Sequence, residues 1–170
     1  MPTAEVVVIG AGVIGASAAY HLAAAGCKDV LVIDRGAGPG EGSTGRATGG
    51  FRAQFSTEIS VKLSLLSREK LLRFEEEMGV DPGYRQRGYL FLAREPRELD
   101  ALVNAQEIQK RAGLKEAQVV SPEDIGRINP AVVDEGLVGG VFCPTDGFIR
   151  PMEILRGYTE GARRMGVRFE

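Results

Sequence analysis

The sequence is poor in the residue types that build metal sites and disulfide scaffolds. Its 170 residues include no tryptophan, a single histidine (His21) and two cysteines, Cys27 and Cys143, which lie far apart in the chain. One histidine and two distant cysteines cannot supply the ligands of a typical zinc site, so we expect no bound metal. The cysteine spacing does not indicate an oxidising compartment, although it leaves one disulfide open.

An excess of charge of either sign is also absent. The chain has 21 Lys and Arg against 23 Asp and Glu, a net charge of −2, and the two signs are mixed along its length. This pattern lacks the basic footprint of a nucleic-acid-binding protein. With 44% hydrophobic and 26% charged residues, the composition is that of a soluble globular protein rather than a disordered one.

An uninterrupted hydrophobic segment is missing as well. Residues 6–27 contain no Asp, Glu, Lys or Arg, but Gly10, Gly12 and Gly15 break the apolar run and no basic region precedes it. The segment therefore predicts neither a membrane span nor a signal peptide. The expected location is the cytoplasm.

Glycine is abundant, and its placement is uneven. Eleven of the 23 glycines lie in the first 50 residues. This concentration indicates that something must approach the backbone closely there, which glycine permits because it has no side chain. Residues 4–9 predict a strand buried on both faces, residues 13–25 an alanine-rich helix that ends at Gly26, and residues 30–33 a second buried strand. Together these elements predict a βαβ unit.

The rest of the chain alternates between helices and strands. A glycine-rich loop over residues 35–50 is followed by a helix over about 58–78. Asp146 and Gly147 predict a turn with a structural role. The remaining elements are a strand within 84–93, a helix over 96–112, a short helix from Pro122 that ends before Pro130, a strand over 137–143, a helix from Pro151 to about 165 and a strand at 167–169.

The first glycines form a nucleotide-binding pattern. Gly10, Gly12 and Gly15 make a G-x-G-x-x-G sequence between the first strand and the helix, and Asp34 ends the second strand 19 residues later. The first glycine allows a tight turn, the second lets the backbone approach a pyrophosphate, and the third lets helix pack on strand. An acid at position 34 suits an unphosphorylated ribose, which favours NAD or FAD over NADP and leaves those two open.

Longer motifs resemble one family. They are GSTGRATGGFRAQF at 42–55, then TEISVKLS, RGYLFLA, SPEDIGRINP and, at 145–151, TDGFIRP. The chain resembles, over its whole length, FAD-dependent amine and amino-acid oxidoreductases of the D-amino-acid oxidase family. Among these it is most similar to the β subunits of sarcosine oxidase and dye-linked L-proline dehydrogenase.

The resemblance implies a set of cofactor contacts. Ser43, Thr44 and Gly45 match the stretch that runs along the FAD pyrophosphate and ribityl chain, and Arg46 and Arg35 are further expected contacts. Some relatives attach the flavin covalently through a histidine of this loop. The matching position here is Gly45, which has no nucleophile, so noncovalent FAD is expected.

The resemblance also implies a catalytic role and a reaction. Arg52 matches the position at which sarcosine oxidases hold the substrate carboxylate over the flavin, a task that suits a planar fork of donors. The amine of a small substrate such as sarcosine, glycine or proline would lose hydride to FAD, and the resulting imine would be hydrolysed. Electrons would then pass to oxygen or to a partner subunit.

The expected fold class is α/β, a Rossmann-like FAD-binding βαβ core followed by the start of a mixed α+β substrate domain. Residues 1–80 are expected to form the FAD-binding region, 81–150 the beginning of the substrate domain, and 151–170 a helix and strand leading back to the first. Because the family's chains are longer, we expect this chain to be an N-terminal portion.

Two other functions remain compatible with the sequence. The chain could be a truncated, noncatalytic nucleotide-binding module, or an NAD-dependent dehydrogenase, which would not need the Gly-Ser-Thr-rich loop.

Overall fold

The computed structural model describes residues 3–133 and 135–170, which form six helices and nine short strands. In chain order the elements are β1 (Val6–Ile9), α1 (Val13–Ala24), β2 (Val30–Ile33), α2 (Ser43–Arg46), β3 (Gly50–Phe51), α3 (Glu58–Met78), β4 (Arg85–Gln86), β5 (Tyr89–Ala93), α4 (Pro96–Ala112), β6 (Gln118–Val120), α5 (Pro122–Ile128), β7 (Gly139–Cys143), β8 (Gly147–Phe148), α6 (Pro151–Arg164) and β9 (Arg168–Phe169). This mixed architecture confirms the α/β fold class and the βαβ opening.

The chain divides into two compact units. One consists of the chain up to Gly50 with Leu71–Tyr84 and Ile149–Glu170, and the other of Phe51–Lys70 with Arg85–Phe148. The predicted assignment of FAD-binding and substrate regions along the sequence stays a prediction.

The first unit contains a parallel sheet in the order β1-β2-β9. β2 lies in the centre, and its residues Val30, Leu31 and Val32 are buried because strands flank it on both sides. α1 is rich in alanine, so it approaches α6 closely, and Ala16 and Ala19 are fully buried. A second cluster joins the end of α3 to α6, where Phe74 and Tyr158 meet edge to face with ring centroids 5.2 Å apart.

β1 differs from the prediction. It was expected to be buried on both faces, but Val7 is 50% and Ile9 85% exposed. Since β1 is at the edge of the sheet, β2 is its single neighbour among the described strands. A β-branched run therefore predicts the strand correctly without indicating whether the strand is central or peripheral.

The second unit is built on an antiparallel sheet in the order β5-β7-β6, with α4 and α5 packed against it. Its core includes Val61 from α3, Leu114, and Val141 and Cys143 from β7. A further, short sheet has the order β3-β8-β4.

The segment 84–93 forms two strands in different sheets rather than one. Gly88 separates β4 from β5, and its φ of +83° lies in the left-handed region that favours glycine. The ring of Phe142 occupies the space that a side chain at position 88 would need. Residues 85–87 are polar and residues 89–93 are apolar, so the sequence changes character at Gly88, although the expectation of a strand within 84–93 did not divide the segment there.

We predict opposite effects for one substitution at two helical glycines. A Cβ at Gly157 in α6 would lie 2.6 Å from Cε1 of Phe74, whereas a Cβ at Gly126 in α5 would meet nothing within 4 Å. Gly157→Ala should lower the free energy of unfolding by about 1–3 kcal/mol through overpacking. Gly126→Ala should leave it unchanged or raise it by up to about 1 kcal/mol. Urea denaturation measures both, and equal effects would contradict the packing described for α6.

Candidate functional site

The turn from β1 to α1 brings backbone atoms close together. Gly10 has a φ of +105°, and its N–H donates to the carbonyl oxygen of Ile33 over 2.8 Å. A Cβ on Gly15 would overlap the carbonyl oxygen of Gly10, so α1 can begin this close to the turn only with glycine at position 15. Gly12 is the N-cap of α1, and because it is a glycine it provides no side-chain hydrogen bond to the first N–H groups of the helix.

Asp34 joins this turn to the end of β2. Its Oδ2 accepts a hydrogen bond from the N–H of Ala11 over 2.6 Å, and its Oδ1 accepts one from the N–H of Gly36 over 2.8 Å. These two N–H groups, that of Gly36 first, hold the pKa of the Asp34 carboxyl below its ordinary value. The group is therefore ionised at neutral pH, and each of its oxygens retains capacity for a further donor.

The glycine-rich loop contains the short helix α2, which the sequence did not indicate. From α2 the hydroxyl Oγ1 of Thr44 accepts a hydrogen bond from the N–H of Val13, the first residue of α1, over 3.0 Å. A Cβ on Gly12 would lie 3.1 Å from this oxygen. Thr44 thus satisfies one N–H at the N-terminus of a helix 31 residues earlier in the chain.

A cavity of about 830 Å³ lies over these elements. Its volume falls within the range of small-molecule and cofactor sites. It contains all but one of the predicted cofactor-binding residues in its lining, namely Gly10, Gly12, Gly15, Asp34, Arg35, Ser43, Thr44 and Arg46. The exception is Gly45, whose backbone packs instead on Gly40, with its N–H donating to the Gly40 carbonyl over 2.9 Å.

Glu41 lines the same cavity and was missed by the sequence analysis. Its Oε2 lies 2.8 Å from the position of a Cβ on Gly36. An isolated acid in a glycine-rich loop carries no spacing signal, so nothing in the sequence could have identified it. With Asp34 and Arg35 it gives the cavity charged groups of both signs.

Arg52 lies in the second unit against three aromatic rings. Its guanidinium carbon is 5.0 Å from the ring centroid of Phe55, 5.4 Å from that of Phe91 and 5.8 Å from that of Tyr89. Within residues 3–133 and 135–170, no carboxylate lies at ion-pair distance from Arg52. The side chain lines a cavity of about 220 Å³, so its donors are available to an anionic ligand.

The segment that follows Arg52 is fixed by a buried acid. Asp146 is 0% exposed, and its carboxylate accepts hydrogen bonds from the N–H of Ala53 over 2.9 Å and from Nε2 of Gln54 over 3.2 Å. Burial raises the pKa of the Asp146 carboxyl, while these hydrogen bonds oppose the rise. The sequence predicted a turn at Asp146 and Gly147, but the turn lies at residues 144–145, where the Asp146 N–H donates to the Cys143 carbonyl over 3.3 Å, and Gly147 begins β8. The contact of Asp146 with residues 53 and 54 joins positions too distant in sequence for a local pattern to reveal.

His21, Cys27 and Cys143, which the sequence analysis considered as metal ligands, line neither of these two cavities. His21 is exposed and packs edge-on against Tyr20, with ring centroids 5.1 Å apart, while Cys27 is partly buried and Cys143 buried. In the part of the chain that the structure describes, no three potential metal ligands cluster together. In the same part, no helix has the length and apolar character to cross a bilayer.

Comparison with known proteins decides which nucleotide-binding family this geometry represents. The family described as FAD dependent oxidoreductase matches residues 5–170. The chain belongs to this family. FAD is the cofactor of the family, so the match favours FAD over the NAD-dependent alternative.

Three relatives define the position of the chain within the FAD-dependent oxidoreductases. It is 34% identical over 165 residues to the mitochondrial dimethylglycine dehydrogenase of Rattus norvegicus, covering 96% of this chain and 19% of that protein. It is 26% identical over 166 residues to the mitochondrial pyruvate dehydrogenase phosphatase regulatory subunit of Mus musculus, covering 96% and 18%. The crystal structure of L-proline dehydrogenase from P. horikoshii matches with a TM-score of 0.90 and 32% identity, covering 99% of this chain and 44% of that one. The chain thus spans about a fifth of the length of the two mitochondrial relatives and less than half of the proline dehydrogenase chain.

The close approach of Gly15 to Gly10 gives a prediction for stability. Gly15→Ala should lower the free energy of unfolding by about 1–3 kcal/mol, because the new methyl group would displace the start of α1 from the turn. Gly42→Ala is the matched control, since a Cβ there would meet nothing within 4 Å. Thermal and urea unfolding of both variants measures the difference. Parental stability of Gly15→Ala would show that the turn is looser than described.

Proposed function

We propose that the protein carrying this chain is an FAD-dependent enzyme that oxidises the C–N bond of a small amino acid or N-methyl amino acid. The observation that carries the proposal is the cavity of about 830 Å³ where the β1–α1 turn, the start of α1 and the Asp34 carboxylate converge. The similarity to dimethylglycine dehydrogenase and to L-proline dehydrogenase supports the substrate class. When bound, FAD supplies the hydride acceptor.

The donor and acceptor set of the cavity fits a dinucleotide. We assign the pyrophosphate to the start of α1, where the absence of a side chain at Gly12 lets phosphate oxygens approach backbone N–H groups and the positive end of the helix. The Thr44 hydroxyl accepts from Val13 and can donate its own proton to a phosphate oxygen. Ser43, Arg35 and Arg46 line the same cavity and are assigned as further contacts.

Asp34 is assigned to the adenosine ribose. Its two oxygens each hold one backbone N–H and can each accept a ribose hydroxyl in addition. Glu41 and Arg35 line the same cavity, so the preference for an unphosphorylated ribose rests on the Asp34 carboxylate itself. We assign Gly45 to the attachment position of covalently flavinylated relatives; because it offers no nucleophile, binding is proposed to be noncovalent.

Arg52 is proposed to bind the substrate carboxylate. The aromatic rings of Phe55, Tyr89 and Phe91 support its guanidinium without neutralising it, which leaves the planar fork able to hold a carboxylate through two parallel hydrogen bonds. Fixing the carboxylate fixes the orientation of the neighbouring C–H bond, which is the bond to be broken.

The electron acceptor is proposed to be oxygen or a partner subunit. The cytoplasmic location stays a prediction, and the mitochondrial names of the rat and mouse relatives make cell fractionation the test of it.

A noncatalytic function is the second candidate, and one observation favours it. A relative that matches 96% of this chain is named as a regulatory subunit of a phosphatase. In that case the cavity would bind FAD, but no amino-acid substrate would reduce the bound flavin. Anaerobic mixing of the FAD-loaded protein with dimethylglycine, sarcosine or proline separates the two functions, since bleaching of the flavin spectrum occurs only in the enzyme.

Asp34→Asn should weaken the binding of ADP roughly tenfold to hundredfold, because an amide has one acceptor oxygen in place of two and loses the charge. Isothermal titration calorimetry measures the affinity without any catalytic step. Asp29→Asn is the control, since Asp29 forms an ion pair with Arg168 over 2.8 Å on the surface and lies outside the cavity lining. Equal affinities of parent and Asp34→Asn would place the ribose elsewhere.

Arg52→Lys should raise the substrate concentration for half-maximal flavin reduction about tenfold or more and should also slow the reduction, because a point charge keeps the attraction and loses the two-pronged geometry. FAD content should remain parental, since the residues assigned to the cofactor are unchanged. Anaerobic stopped-flow spectroscopy at matched flavin content measures both quantities. Parental kinetics in Arg52→Lys and Arg52→Ala would remove Arg52 from the substrate site.

A further inference from the structure

Asp146 is a buried acid whose carboxylate accepts hydrogen bonds from the two residues after Arg52. Its Oδ1 accepts from the N–H of Ala53 and its Oδ2 from Nε2 of Gln54, over 2.9 and 3.2 Å. Asp146 and Ala53 are 0% exposed and Gln54 is 3% exposed. An unpaired carboxylate at this depth would be strongly destabilising, so these two donors account for its presence.

Gln54 connects the same segment to β5. Its Nε2 also donates to the carbonyl oxygen of Tyr89 over 2.9 Å, so one amide nitrogen bridges Asp146 and the first residue of β5. Both of its partners are acceptors, which fixes the orientation of the amide. Tyr89 in turn contributes one of the rings beneath the Arg52 guanidinium.

The turn that carries Asp146 is itself held from several directions. The N–H of Gly88 donates to the carbonyl oxygen of Asp146 over 2.9 Å. Arg68 donates to the hydroxyl of Thr145 over 2.8 Å and forms an ion pair with Glu116 over 3.1 Å. The position of Asp146 is therefore set by contacts other than those with residues 53 and 54, and Asp146 in turn fixes that segment.

We infer that Asp146 is a positioning residue, which holds Arg52 in its carboxylate-binding place by fixing the backbone of Ala53 and the side chain of Gln54. The inference rests on the proposed role of Arg52 in substrate binding. The Arg52 guanidinium lies against aromatic faces, which attract a cation without imposing one position. The location of the guanidinium is then set by its backbone, and an error of about 1 Å in such a group is enough to impair binding.

The first arm of the test measures the backbone directly. Hydrogen–deuterium exchange of the 51–56 segment in the substrate-free protein should be about tenfold faster in Asp146→Ala than in the parent, because the Ala53 N–H loses its acceptor. Asp146→Asn, which keeps one acceptor oxygen, should give a smaller increase. Ile125→Val is the matched control, because it weakens another core cluster of the same unit that does not include residues 52–54. Exchange in Asp146→Ala no faster than in that control would overturn the inference.

The second arm asks whether Asp146 acts through Arg52. Asp146→Asn should raise the half-saturating substrate concentration for flavin reduction severalfold, with FAD content unchanged and Ile125→Val parental. In the double variant Asp146→Asn/Arg52→Lys the two effects should not multiply. Lysine already lacks the two-pronged geometry, so displacing it should weaken substrate binding little further. Effects that multiply in full would overturn the inference and leave Asp146 with a general structural role.

The two arms separate failure of this inference from failure of the proposed function. Faster exchange in Asp146→Ala together with parental kinetics of Arg52→Lys would refute the substrate role of Arg52, and the positioning role with it, while retaining the attachment of the segment. Parental exchange with impaired Arg52→Lys kinetics would refute the positioning role alone.

Discussion

The first unit depends on a turn in which backbone segments approach each other too closely to admit side chains. The β1–α1 turn, the end of β2 and the α2 helix meet there, and each junction is a contact between a backbone group and a small or carboxylate-bearing residue. Asp34 holds the N–H groups of Ala11 and Gly36 together, and Thr44 satisfies the first N–H of α1. The same feature that restricts the sequence to glycine creates the open concave surface, since a backbone without side chains is what a phosphate can approach.

Asp34 and Asp146 have pKa values shifted in opposite directions, because the N–H groups of Gly36 and Ala11 donate to the first in an open cavity and the second is buried. Asp34 accepts two backbone N–H groups in an open cavity, so its pKa is lowered, and its contribution to stability is present above the ordinary pKa of 3.8 and is lost as the pH falls through the lowered value. Burial raises the pKa of Asp146, so any stability linked to its protonation is full below 3.8 and is lost as the pH rises through the raised value. The first carboxylate is available to a ligand and the second is committed to the protein.

The sequence predicted the features that depend on local spacing. Helix α3, for example, has the bounds expected from its apolar periodicity. The G-x-G-x-x-G glycines and Asp34 line one cavity, and their contact with a nucleotide stays a prediction. Features that depend on distant contacts were beyond such reasoning: the exposure of Ile9, the packing of Phe142 over Gly88, and the attachment of Ala53 to Asp146 across 93 positions. Gly45 shows the same limit, because its place in a motif does not tell whether it faces the cavity or packs on Gly40.

The exposed edge strand has a consequence for handling the protein. β1 presents Val7 and Ile9 to solvent, and its outer edge pairs with no other strand that the structure describes. A short β-branched strand with free backbone donors and acceptors is a template for pairing with another chain. The edge of β1 is therefore where this 170-residue chain could pair with a second copy, and a lysine at position 7 would oppose that pairing by the device that natural sheets use. Position 9 is unsuitable for the same change, because Ile9 lines the cavity above the β1–α1 turn.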